Sequence, residues 1–266
     1  MGDESRMKSI AIDTYSHLDS PLHRWDARAK LIGLFAIMLA FASIQQLVLL
    51  PLLLFLSGLA YWCSKLPWHF WRDRLRWPGR LLFLLALVLP FAGGGVEWLR
   101  LGPMAVYEDG VLALLQIATR AISILTVGLV LFGTTPFPTL ISAARSLGLP
   151  AILADMVLLT YRYLFDLGST LDTMQTALRL RGLRITRLKR SQIPVVAGLI
   201  GSLLVRSYDQ SERIYSAMRL RGYGTVAQRQ ARLWPSRRHV WGTGMALAIA
   251  VGLLSVEWVW SVFPLV

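Results

Sequence analysis

The chain has 266 residues, a formal net charge of +13, 55% hydrophobic residues and only 16% charged ones. Its mean hydropathy is +0.52. A water-soluble domain does not carry apolar residues at this density in long blocks, so composition excludes one and indicates a polytopic membrane protein.

Met1 to Lys30 is a polar leader without a short apolar region and small-residue cleavage site, so no cleavable signal peptide is expected and the first membrane helix would target the chain. Asp26 is the expected N-cap of that helix, with Arg28 and Lys30 kept at the headgroups. Leu31 to Trp62 is apolar, too long for one crossing, and is read as two spans turning near Ser43 to Gln46. Lys65 to Arg80 interleaves Lys65, Arg72, Arg74, Arg76 and Arg80 with Trp68, Trp71 and Trp77, and reads as an interfacial loop on the cytoplasmic side. A third helix is expected from Leu81 to about Phe91, fraying at Gly93-Gly94-Gly95. Glu97 to Asp109 would be the outer loop, and Val111 to Phe132 the fourth span. Arg120 lies inside that span, where a charge is costly; a structural ion pair or carbonyl contact is its expected role, ahead of transport.

Thr134-Thr135-Pro136-Phe137-Pro138 breaks the helix, and the next hundred residues differ in character. Thr139 to Leu147 is a short amphipathic helix stopped by Gly148-Leu149-Pro150. Ala151 to Arg181 starts apolar but carries Asp155, Arg162, Asp166 and Asp172, so it reads as a long amphipathic helix at the membrane surface. After a basic link, Leu183 to Ser191, Ile193 to Arg221 repeats the scheme, with Gly198 and Ser202 placed for a close helix crossing. Trp241 to Val262 is a final span with a small-residue face of Gly244, Ala248 and Gly252. The expected fold is an all-α membrane protein with about five transmembrane helices, and two long amphipathic cytoplasmic helices between the fourth and fifth. Its regions are residues 1–133, 134–238 and 239–266, with the N-terminus inside and the C-terminus outside.

Half of the 28 Lys and Arg lie between Ala177 and Arg238, where Asp209 and Glu212 are the only acids. In a membrane protein such a block suits anionic lipid or an acidic protein surface better than nucleic acid. Within it a hexapeptide occurs twice: Ala177-Leu178-Arg179-Leu180-Arg181-Gly182 returns as Ala217-Met218-Arg219-Leu220-Arg221-Gly222. Each copy reads as a helix end, with helix-forming residues, a cation at the negative pole of the macrodipole, and glycine for the left-handed residue that stops it. Two such ends with the same spacing suggest a paired docking device.

Other chemistry is sparse. Cys63 is the single cysteine, so no intrachain disulfide can form. His17, His23, His69 and His239 have no metal-site spacing. Neither a phosphate-cradling glycine loop nor a Ser-His-Asp or Cys-His arrangement can be argued. Arg120 and Glu257 alone would serve a self-contained secondary carrier, which needs polar midplane sites; a basic scaffold on anionic lipid is the other alternative.

The two Leu-Arg-Gly ends, Leu180-Arg181-Gly182 and Leu220-Arg221-Gly222, together with Asp26-Ala27-Arg28-Ala29-Lys30, resemble the T component of energy-coupling factor (ECF) transporters, in particular the cobalt-type CbiQ family. The usual Ala before each motif arginine is Leu here, and the usual Pro after Asp26 is Ala27. The resemblance implies a non-catalytic inner-membrane subunit joining two copies of a cytoplasmic ABC-type ATPase to a membrane S component, with a small accessory membrane subunit as a further partner. Arg181 and Arg221, flanked by Leu180, Gly182, Leu220 and Gly222, would each enter a groove on one ATPase. Arg179 and Arg219 would support them from the basic surface. No cofactor is expected on this chain: ATP and Mg would bind the ATPases, and cobalt the S component. Cobalt is the substrate the resemblance favours, with nickel or a vitamin as alternatives.

Overall fold

Sequence pattern alone predicts two helices meeting at Ser43 to Gln46, and the computed structural model has that break. It describes residues 20, 22–23, 25–92, 97–101, 104–182, 192–223 and 237–262. The leader with His17, the Gly93 to Gly95 fraying point and the Leu183 to Ser191 link lie outside these residues, as does the side chain of His239. The protein is an all-α membrane protein with one small hairpin. Two compact units divide it, Met1–Leu147 with Trp234–Val266, and Gly148–Leu233.

In the first unit, α1 (Ala27–Ser43) leads through a 3₁₀ turn (Leu47–Leu49) to α2 (Leu50–Ser64). A left-handed Lys65 (φ 54°) caps α2. α3 (Trp68–Ala92) follows within a few residues. The basic, Trp-rich stretch is therefore helix and not the interfacial loop expected of it. Arg and Leu are good helix formers, and the helix accommodates both Pro78 and Pro90.

β1 (Glu97–Leu101) and β2 (Met104–Tyr107) form an antiparallel hairpin in place of the expected outer loop. Two apolar, strand-prone runs flanking Gly102-Pro103 carry that signal. Glu108 and Asp109 open α4 (Glu108–Thr134), where carboxylates face the positive pole of the helix. α5 (Phe137–Ser146) follows the Thr-Thr-Pro break, and α8 (Arg237–Val262) closes the unit.

Helix α4 is central, packed against α1, α2 and α3, while α1 also packs on α5 and α8. The core joins Phe41 of α1 and Ile44 just past its end, Leu53 and Tyr61 of α2, Val127 and Val130 of α4, and Ala250 and Leu253 of α8. Trp25 is wedged where α1 meets α8. A Cβ on Gly33 would lie 2.9 Å from Ala246, and one on Gly242 3.1 Å from the Trp25 ring. The small-residue face used for packing is thus Gly242, Ala246 and Ala250. The expected Gly244 and Gly252 have nothing within 4 Å, because the register is set by the Trp25 wedge and not by the longest run of small residues.

Among the described residues, three helical stretches are long and apolar enough to cross a bilayer: Leu47–Ser64, Glu108–Thr134 and Trp241–Val259. Five were expected. The 17 residues of α1 include Arg28 and Lys30 in the first turn, and α3 turns apolar only at Leu81, so neither reaches that length of apolar helix.

Among the described residues the expected ion pair or carbonyl contact of Arg120 is not found, and its Nε is buried with no hydrogen-bond partner. Glu257 Oε1 accepts the Gln45 N–H at 2.9 Å, and Gln116 donates to the Gln45 carbonyl, so the α1–α2 turn is tied to α8 and α4 by polar contacts.

In the second unit, α6 (Ala151–Leu180) and α7 (Ile193–Leu220) run antiparallel. Their lengths of 30 and 28 residues correspond to rods of roughly 45 and 42 Å. Tyr223, just past the end of α7, donates to Asp155 near the start of α6 (3.0 Å). Near mid-length, Gln210 donates to Asp166 (2.6 Å). A Cβ on Gly198 would meet nothing within 4 Å, so the expected tight crossing at Gly198 and Ser202 is absent. Both line instead an opening of about 410 Å³ between the helices, and a groove of about 620 Å³ runs along the other half of the pair.

Candidate coupling-helix tips

The two hexapeptides end α6 and α7 in the same way. Arg181 and Arg221 are the C-cap residues, with backbone angles of −80°, 10° and −87°, 8°. Gly182 and Gly222 then turn left-handed at φ 87° and 79°, a conformation that costs any side-chain-bearing residue energy. Each glycine N–H returns to a helix carbonyl: Gly182 to Arg179 at 3.0 Å, Gly222 to Arg219 at 2.9 Å. At the second end the Tyr223 N–H also reaches the Met218 carbonyl at 3.0 Å, completing a Schellman motif. Met218 and Tyr223 line the same groove, so this cap also has its usual apolar partnership. Sequence reading did not single out Tyr223; its place two residues past the C-cap was the available signal.

These caps fix what the tips expose. Leu180 is 85% and Leu220 90% solvent-accessible. A leucine so exposed on a rigid helix end offers apolar area that a partner can cover. Arg181 and Arg221 are exposed beside them, with Arg179 and Arg219 one turn position behind. The Arg219 guanidinium lies over the Tyr215 ring (5.9 Å to its centroid), which holds it along α7. Among the described residues neither Arg181 nor Arg221 has an ion-pair partner. Each tip therefore combines a cation, backed by the negative pole of its helix, with an uncovered leucine. Because the helices run antiparallel, the tips sit at opposite ends of the pair, on the order of a helix length (~40 Å) apart.

The N-terminal motif does different work. Asp26 Oδ1 accepts the Arg28 N–H at 2.9 Å and caps α1, as its position predicts. Arg28 is half-buried. Lys30, expected at the headgroups, is 1% exposed. Its Nζ donates to Thr135 Oγ1 (2.9 Å), Thr134 Oγ1 (3.1 Å) and the Thr134 carbonyl (3.2 Å). Three ammonium donors meet three acceptors, which is what makes the buried charge tolerable. Burial lowers its pKa from 10.5 to about 8. Lys30, ahead of the apolar run, thus ties the start of α1 to the break between α4 and α5, and Thr134 and Thr135 are functional partners that sequence reading took for a helix break alone.

The family model of the cobalt transport protein CbiQ matches residues 19–233, which include Asp26 to Lys30 and both tips. The chain belongs to the CbiQ family. Among its relatives, the energy-coupling factor transporter transmembrane protein EcfT of Limosilactobacillus fermentum is 27% identical over 266 aligned residues, 91% of this chain and 93% of that one. An uncharacterised protein of Methanocaldococcus jannaschii is 28% identical over 88% of each chain. The cobalt transport protein CbiQ of Rhodobacter capsulatus is 28% identical over 60% of this chain and 62% of its own. The relatives that carry a functional name are thus a transmembrane protein of an ECF transporter and a cobalt transport protein.

Proposed function

We propose that this chain is the T component of an ECF transporter, that it couples ATP hydrolysis on two cytoplasmic ATPase subunits to a membrane S component that binds the substrate, and that the substrate is cobalt ion. In this reading Arg181 and Arg221 each enter an acidic groove on one ATPase, with Leu180 and Leu220 covered by the groove wall. The observation that carries it is the matched pair of tips: same cap, same exposed Leu-Arg, opposite ends of one antiparallel helix pair. Tips about 40 Å apart are too far for one small site and suit two copies of one subunit. A guanidinium is the right cation, since its planar fork binds a carboxylate through two parallel hydrogen bonds.

ATP and Mg act on the ATPases, and the metal ion binds the S component. This chain then performs no chemistry: nucleotide-driven movement of the ATPases displaces the tips, and the rigid helices carry the displacement toward the S component. The assignment of cobalt rests on the family and its CbiQ-named relative.

The test is uptake of radioactive cobalt by cells expressing the complete transporter, with nickel uptake measured in parallel. Wild type should take up cobalt, and Arg181→Ala with Arg221→Ala should abolish uptake and copurification of the ATPase. Removing one partner of a buried charge pair costs roughly 2–5 kcal/mol, enough at each tip to release a complex. Unchanged copurification in the double variant would refute the docking role; nickel uptake without cobalt uptake would refute the substrate.

A further inference from the structure

The first half of α3 carries charge that the coupling account leaves unused. Arg72, Arg74, Arg76 and Arg80 are all exposed there, as is Lys65 just ahead of the helix. Asp73 is the one acid of the stretch, and it is engaged by His69 (2.7 Å) and Arg76 (3.3 Å). Arg72, Arg76 and Arg80 follow at one-turn spacing along the helix, so they form a ridge about 12 Å long. Trp77, 76% exposed, holds Arg80 through a cation–π contact of 4.8 Å.

The same ridge continues downward without a break. Leu84 and Val88, the next positions at that spacing, are more than half exposed. Whatever covers this surface must be anionic at one end and apolar at the other, and must change character within one or two helical turns. An acidic protein groove would satisfy only the upper half. We infer that the Arg72–Arg76–Arg80 ridge is a binding site for an anionic phospholipid, its phosphodiester between Arg76 and Arg80 and an acyl chain along Leu84 and Val88. Trp77 stands among these arginines just ahead of the apolar half of the helix, the place an indole takes at a headgroup boundary, and its ring holds the Arg80 guanidinium there. This site is independent of the coupling reading.

The experiment uses the full chain in nanodiscs of mixed phosphatidylglycerol and phosphatidylcholine, with native mass spectrometry of the lipids retained. Each arginine near an anionic surface gives about a fivefold preference. Wild type should retain phosphatidylglycerol selectively, and Arg72→Gln with Arg76→Gln and Arg80→Gln should lower that preference about a hundredfold. The matching triple Lys variant should keep most of it. Helical circular dichroism checks that each variant folds; if the triple Gln variant does not, Arg80→Gln alone should lose about fivefold. Glycerol phosphate in solution should not displace the lipid. The inference fails if the Gln variants retain phosphatidylglycerol like wild type, if both lipids are retained equally, or if glycerol phosphate competes. It also fails if these changes release a protein partner while leaving lipid retention unchanged.

Discussion

Gly222 and Lys30 show how much a single residue decides here. Gly222 turns left-handed at φ 79°, so Gly222→Ala introduces a strain of about 1–2 kcal/mol at the end of α7. The strain is relieved by unwinding the last turn, which carries Arg221. Thermal unfolding in detergent should change little, because the end of a helix unwinds locally, while ATPase copurification should weaken several-fold. An unaltered affinity would mean that the cap does not set the position of Arg221. Lys30→Met tests the opposite kind of residue. It leaves the Thr134 carbonyl facing a methionine and costs about 1–3 kcal/mol. A lowered melting temperature with normal insertion is the expected result; an unchanged melting temperature would show that the three hydrogen bonds contribute nothing net. The motif arginines and their glycines were legible as residues, since cap chemistry is local. The burial of Lys30 was not, because its acceptors are over a hundred positions away and sequence spacing carries no trace of them.

At the scale of the element, helix extents followed from pattern and failures arose where two patterns compete. The ends of α6 and α7 are set by Pro150, by Pro194 and by the two Arg-Gly stops, all local signals. For α3, interfacial composition suggested a loop, but the backbone follows helix propensity and keeps one rod through both halves. In α8 two small-residue faces are present, and only tertiary packing on Trp25 selects Gly242 over Gly244. Gly242→Leu should therefore displace Trp25 and destabilise the chain by about 1–3 kcal/mol. Gly244→Leu should be nearly neutral in detergent. Melting temperatures of the two variants decide this, and equal effects would place the packing face elsewhere. Between α6 and α7, Tyr223→Phe removes the hydrogen bond to Asp155, an exposed contact worth about 0.5–1.5 kcal/mol. Faster amide exchange around Asp155, in the second turn of α6, is the expected signature. Exchange at the wild-type rate would show that the clasp does not restrain that turn.

For the whole molecule, the division of labour follows from how each unit meets its surroundings. The first unit has a core built on α4 and apolar surface facing outward, as a bilayer requires. The second has one buried hydrophobic residue in its helices, Ala154, and leaves Leu180, Leu220, Leu204 and Val205 exposed. A pair of amphipathic rods with so little core of its own is stabilised by what it binds. The account's central claim, that both tips are gripped by ATPase subunits, is tested most directly by a photo-crosslinking amino acid placed at Leu180 or at Leu220 in the assembled transporter. Each position should give an adduct with the ATPase, and a chain carrying both probes should capture two copies. Adducts with lipid alone, or an ATPase adduct from only one of the two positions, would contradict it.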